Sequence, residues 1–144
     1  MTLKRGLRSK GFPASNKSVG WSIFDHDVLM PTAVLLQSAI ASNSALLAKF
    51  CGVHKISFAP HGKTTMSPEL FDIQMRDGAW GITAATAFQA RTMIEHGVPR
   101  VLIANEVVAP GDIAWVAKAT RQKHEVICCV DSTQAVKMLD DGLA

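Results

Sequence analysis

Apolar residues along this chain recur with two different spacings. Short apolar blocks read as strands: Lys55-Ile56-Ser57-Phe58-Ala59, Trp80-Gly81-Ile82-Thr83-Ala84, Arg100-Val101-Leu102-Ile103-Ala104 and Glu125-Val126-Ile127-Cys128-Cys129-Val130. The third is nearly all apolar, as expected of a strand covered on both faces. Between these blocks the apolar residues fall at helical intervals. Ser67 caps and Pro68 opens a helix through Leu70, Phe71, Ile73 and Met75 that stops at Gly78. A second runs from Ala87 to His96 and ends at Gly97. Pro110-Gly111-Asp112 opens a third, through Ile113, Trp115, Val116 and Ala119. Asp131 or Ser132 caps a fourth, with Ala135, Val136, Met138 and Leu139 on it and Gly142 at its end. Upstream, Thr32-Ala33-Val34-Leu35-Leu36 has strand character after Pro31. Ser38 then caps an amphipathic helix over 39–51, with Gly52 just past its end. Residues 1–20 show no period and read as a loose N-terminal arm, its end pinned by Trp21 and Phe24.

Strand and helix thus alternate through about four βα units, which predicts an α/β fold with parallel strands. Two architectures satisfy that alternation: a doubly wound sheet, or part of a (β/α)8 barrel. A closed barrel needs about 250 residues, and four units are half of one.

Composition narrows the class further. The chain is 48% hydrophobic and 19% charged, with a formal charge of +3, a soluble globular balance. Lys4, Arg5, Arg8 and Lys10 cluster at the start, where a solvated end is expected rather than a nucleic-acid or membrane contact. No apolar run is long enough to cross a membrane, and no signal-like block follows the basic start. Cys51, Cys128 and Cys129 do not form a disulfide framework and read as buried, reduced thiols. These features predict a cytoplasmic protein without a nucleic-acid or membrane partner.

In either architecture the ligand site gathers after the C-terminal ends of the strands. That rule selects Pro60, His61, Gly62, Lys63 and Thr64, then Thr83, then Asn105 and Glu106, then Asp131. A lysine at such an edge can lose part of its hydration, which favours the neutral amine, the form that attacks an aldehyde. His61 could exchange protons beside it. Taken alone, Lys63 could equally be a solvated surface residue. Glu95 and His96 stand at a helix end, where capping explains them. Gly62-Lys63-Thr64 lacks the first glycine of a nucleotide-phosphate loop, because position 57 is Ser. No Gly-x-Ser-x-Gly elbow and no zinc-spaced Cys/His set is present.

The stretch Ala59-Pro60-His61-Gly62-Lys63-Thr64-Thr65-Met66-Ser67-Pro68-Glu69 resembles the cofactor-lysine segment of D-serine dehydratase-like and D-threonine aldolase-like enzymes. Trp80-Gly81-Ile82-Thr83-Ala84-Ala85-Thr86, Val101 to Val108 and Val28 to Leu35 extend the resemblance over roughly residues 21–142. It fits best bacterial members described as amino acid deaminases. The resemblance implies the N-terminal half of an alanine racemase-type (β/α)8 barrel over residues 21–144, with the rest of the barrel and a β-rich domain absent. It implies pyridoxal 5′-phosphate bound as a Schiff base to Lys63, with His61, Thr83 and Asn105 around it. It implies a lyase acting on a small D-hydroxy amino acid, dehydratase or aldolase, inactive as this piece alone, and a homo-oligomer. A divalent metal in the parent enzyme would use ligands outside this chain. The alternatives are a non-catalytic half-barrel that oligomerises and an amino-acid racemase of the same fold.

Overall fold

A computed structural model of the chain describes residues 20–143. The arm expected over 1–20 lies outside these residues except for Gly20. The described elements run α1 (Gln37–His54), α2 (Pro68–Arg76), β1 (Ile82–Ala84), α3 (Ala87–Glu95), β2 (Arg100–Glu106), α4 (Pro110–Arg121), β3 (Glu125–Cys129) and α5 (Thr133–Leu143). The boundary between the chain's two units falls between Ile40 and Ala41, inside α1.

In the first unit the chain turns tightly over 22–27. The Ser22 N–H donates to Asp27 Oδ2 (2.9 Å), and Ser22 Oγ accepts from the Phe24 and Asp25 N–H groups. Phe24 is 85% exposed, so it does not anchor the arm as expected. The apolar run 32–36 forms no strand; Val34, Leu35 and Leu36 are exposed and lead directly into α1. Apolar content alone suggested a strand there, but no neighbouring strand pairs with it. Helix α1 also runs three residues beyond its expected end. Gly52 lies within it, and the helix stops where Lys55 takes a left-handed φ of 54°.

The second unit is built on a parallel sheet in the order β1-β2-β3. Its register pairs Ile82 with Val101 and Ala84 with Ile103, then Val101 with Val126 and Ile103 with Cys128. Side chains alternate across a strand, so these residues share one face. They form the core with Phe71 of α2, Ala87, Ala90 and Met93 of α3, and Ile113 and Val116 of α4. The opposite face carries Thr83, Leu102 and Ile127, and Ile127 is 38% exposed.

The first expected strand, 55–59, is extended but not a regular ladder. It runs parallel to β1 through Trp80 N–H to Phe58 O (2.9 Å), Thr83 N–H to Pro60 O (2.8 Å) and Gly62 N–H to Thr83 O (3.0 Å). The segment therefore occupies the position next to β1, with its pairing carried two residues further along than expected. Strand β2 runs on to Glu106, so Asn105 and Glu106 lie within the strand rather than after it.

Helix ends follow local chemistry. Thr86 Oγ1 accepts from the Gln89 N–H at the start of α3, and Ser132 Oγ accepts from the Ala135 N–H at the start of α5. Ser67 holds the N-cap position of α2 but makes no side-chain cap; its hydroxyl donates to Glu69 Oε2 instead (2.8 Å). The Glu69 backbone N–H, aided by that bond, holds the Glu69 carboxyl below the usual carboxylate range. His96 is the C-cap residue of α3, as its position suggested. Gly142 does not end α5: it lies inside the helix, where a Cβ would overlap the Ile113 side chain. Cys51 is buried, but Cys128 is only half-buried and Cys129 is exposed. The alternation of β3 sends Cys128 toward the core and its neighbour to the open face. Burial, and Cys129 beside it, push the Cys128 thiol up.

Candidate active site

The site candidates lie at the C-terminal edge of the sheet, and the residues before Lys63 show how the chain aims it. His61 pairs with Thr83 in a parallel bridge, and Thr83 pairs with Leu102. His61 therefore belongs to the open face. Gly62 belongs to the core face: a Cβ there would lie 2.6 Å from Ile82 Cγ2, 2.6 Å from Phe71 Cε1 and 3.0 Å from Met93 Cε. Only glycine lets this backbone press so closely on β1, α2 and α3. Lys63 follows at the C-terminal end of this segment, and His61 and Lys63 are both exposed. The Gly62 carbonyl accepts from the Met66 N–H (2.9 Å), and Met66 takes a left-handed φ of 46°. Lys63 therefore starts a tight turn that leads into α2.

Thr83 is 2% exposed. Its hydroxyl donates to the Ala59 carbonyl (2.7 Å), so it braces the segment that carries His61 and Lys63. Asn105 is exposed and lies in a register irregularity of β2 between Ile103 and Glu106; its Oδ1 accepts from the Glu106 N–H (3.0 Å). A bulge of this kind turns a side chain out of the regular alternation. Lys63 and Asn105 thus both lie toward the C-terminal edge of the sheet, and both are exposed. Asp131 is exposed just past β3. The opposite end of the sheet is structural: Arg100 pairs with Glu125, donates to the Trp80 carbonyl (2.9 Å) and stacks on the Trp80 ring.

Gln89 was not among the residues picked out from the sequence. Its Nε2 donates to the Lys63 carbonyl (3.1 Å) and its Oε1 accepts from the Ala85 N–H (2.9 Å). A signal for it exists in Thr86-Ala87-Phe88-Gln89, a capping-box pattern. Among the described residues, no group of His, Cys, Asp and Glu could hold a metal ion. No described helix is long and apolar enough to cross a membrane.

Parallel strands with helices on one face, and polar side chains at their C-terminal ends, place this chain among the α/β folds that carry sites at that edge. It matches the N-terminal part of barrel enzymes. The matched solved structures include D-threonine aldolase from Filomicrobium marinum, with a TM-score of 0.76 and 26% identity over 81% of this chain and 31% of that one. D-threo-3-hydroxyaspartate dehydratase from a Delftia species matches with a TM-score of 0.70 and 25% identity, over 78% of this chain and 29% of that one. In sequence, the chain is 25% identical over 113 residues to D-threonine aldolase of an Arthrobacter species. It is 24% identical over 113 residues to 3-hydroxy-D-aspartate aldolase of Paracoccus denitrificans. Each sequence match covers 78% of this chain, and the chain spans about 30% of the length of these curated relatives. No protein-family model matches. The resemblance read from the sequence holds: the homologues and structural neighbours are D-threonine aldolases and D-3-hydroxyaspartate aldolases and dehydratases.

Proposed function

We propose that this chain supplies the cofactor lysine of a pyridoxal-phosphate-dependent lyase acting on a small D-hydroxy amino acid, with Lys63 as that lysine. The observation that carries the reading is the placement of Lys63: Gly62 presses the chain against Ile82, Phe71 and Met93, and the exposed Lys63 follows it directly, just past the bridge of His61 to β1. Among the described residues, Lys63 Nζ has no hydrogen-bond or ion-pair partner. An amine so placed fits an aldehyde cofactor. When bound, pyridoxal phosphate supplies an electron sink for negative charge developing at the substrate Cα. Lys63 Nζ holds the cofactor and can take or return a proton at the substrate Cα. His61, also exposed, can exchange a proton with the substrate hydroxyl. Asn105, in the β2 bulge, is placed to hydrogen-bond a polar atom of cofactor or substrate. Thr83 serves them by fixing the Ala59 carbonyl.

Incubation with pyridoxal phosphate, reduction with borohydride and peptide mapping should put the label on Lys63, and Lys63→Ala should remove it. A label on another lysine overturns the reading. The likeness to named aldolases and a dehydratase supports D-threonine and D-3-hydroxyaspartate as first substrates to test. Glycine and an aldehyde among the products would mark an aldolase; a 2-oxo acid and ammonia would mark a dehydratase, the deaminase outcome. Inversion at Cα, giving the epimer of the substrate without either set of products, would mark a racemase. Self-association belongs to the same proposal, because the open sheet face and the β3–α5 side expose Ile127, Val130, Val136 and Leu143.

A further inference from the structure

Gln89 is the third residue of α3, after its N-cap Thr86. Its own N–H donates to Thr86 Oγ1 (3.2 Å), and its side chain reaches back past the cap to the Ala85 N–H (2.9 Å). A capping box would return the N3 side chain to the N–H of the cap residue itself; here it goes one residue further, to the N–H before the cap. The side chain also does more. With Oε1 fixed on Ala85, the planar amide aims Nε2 away from the helix, and Nε2 donates to the Lys63 carbonyl (3.1 Å). Ala85 follows β1 and Lys63 follows the extended segment beside it, so one carboxamide ties two neighbouring loops at the C-terminal edge of the sheet.

We propose that Gln89 is a positioning residue for Lys63: it holds the backbone from which the lysine projects and so sets how readily the Lys63 amine captures the pyridoxal phosphate aldehyde. The proposal rests on the reading of Lys63 as the cofactor lysine. Capping alone would not need glutamine. Glutamate keeps the acceptor for Ala85 and adds a negative charge at the helix N-terminus, where it is favourable. It has no N–H for the Lys63 carbonyl and sets an oxygen against it. Gln89→Glu therefore separates the clamp from the cap, and Gln89→Ala removes both.

Two measurements test the clamp. The first is amide hydrogen exchange without cofactor, at Met66 N–H, which is bonded to Gly62 O (2.9 Å), and along α3. The second is the rate of borohydride-trapped adduct formation at Lys63. Gln89→Glu should speed exchange at Met66, leave α3 protected and slow adduct formation about tenfold, the weight of one lost hydrogen bond against a carbonyl left facing an oxygen. Adduct formation at the wild-type rate in Gln89→Glu overturns the proposal, as does loss of protection spread evenly through α3. Absence of any Lys63 adduct in the wild type overturns the reading of Lys63 instead; exchange then decides by itself whether Gln89 holds the loop.

Discussion

Gly62 shows most clearly how a single residue serves this site. Its φ is not left-handed, so conformational freedom does not explain it; space does. A Cβ would overlap Ile82, Phe71 and Met93, and all three are fully buried side chains of the core. Overfilling a packed core forces side chains off their rotamers or shifts the backbone, at about 1–3 kcal/mol. Gly62→Ala should lower stability by about that amount, read from the denaturant midpoint. It should also push His61 and Lys63 away from β1, and borohydride trapping at Lys63 should fall along with stability. Undiminished trapping in a destabilised Gly62→Ala protein would show that the close approach serves packing alone. The place of Lys63, exposed just past the extended segment beside β1, was legible from the strand pattern. Gln89 was not picked out, because an amide near a helix start usually reads as a cap, and its second contact is with a residue 26 positions away.

At the scale of elements, α1 and α2 meet through a polar contact rather than an apolar one. Ser44 Oγ donates to Asp77 Oδ2 (2.6 Å), and Asp77 is the C-cap residue of α2. That hydroxyl, with a smaller contribution from Arg76, holds the Asp77 carboxyl below the ordinary aspartate range. A carboxyl depressed in the folded state adds stability above its unfolded pKa, about 3.9, and that stability is lost as pH falls through the folded value. Ser44→Ala should therefore be less stable than wild type at neutral pH. The two proteins should converge once both forms of Asp77 are protonated, and unfolding midpoints across an acid titration check this. A difference that persists at the lowest pH would assign the effect to packing. The elements legible from sequence were those whose period is set by burial: β2, α3 and α4 contribute Val101, Ile103, Met93, Ile113 and Val116 to one core. The misplaced ones lack that constraint. Residues 32–36 are apolar yet have no strand beside them, and α1 buries only Cys51, so neither its start nor its passage through Gly52 was marked by a core face.

At the scale of the whole molecule, helices of the second unit cover one face of the sheet, and the other face is buried at Thr83 but only partly covered at Leu102 and Ile127. Parallel sheets occur almost always with both faces buried. The open face here presents Leu102 and Ile127, and β3 has an unpaired edge among the described residues. Around that edge Val130, Val136 and Leu143 are exposed, and α1 exposes Leu46, Phe50 and Val53. Apolar surface of this extent in contact with water favours association, by about 25 cal/mol for each Å² removed from water. Sedimentation of the chain over a range of concentrations should show its mass rising with concentration. Ile127→Lys should shift it toward the monomer while leaving the far-UV signal intact, because this side chain is not part of the core on the helix side. A charged side chain on the open face would also disfavour strand-edge pairing. Association that persists in Ile127→Lys would move the contact to the exposed face of α1, and Phe50→Lys is the variant that would then dissociate it. A wild-type chain that stays monomeric throughout would mean that the open face tolerates water.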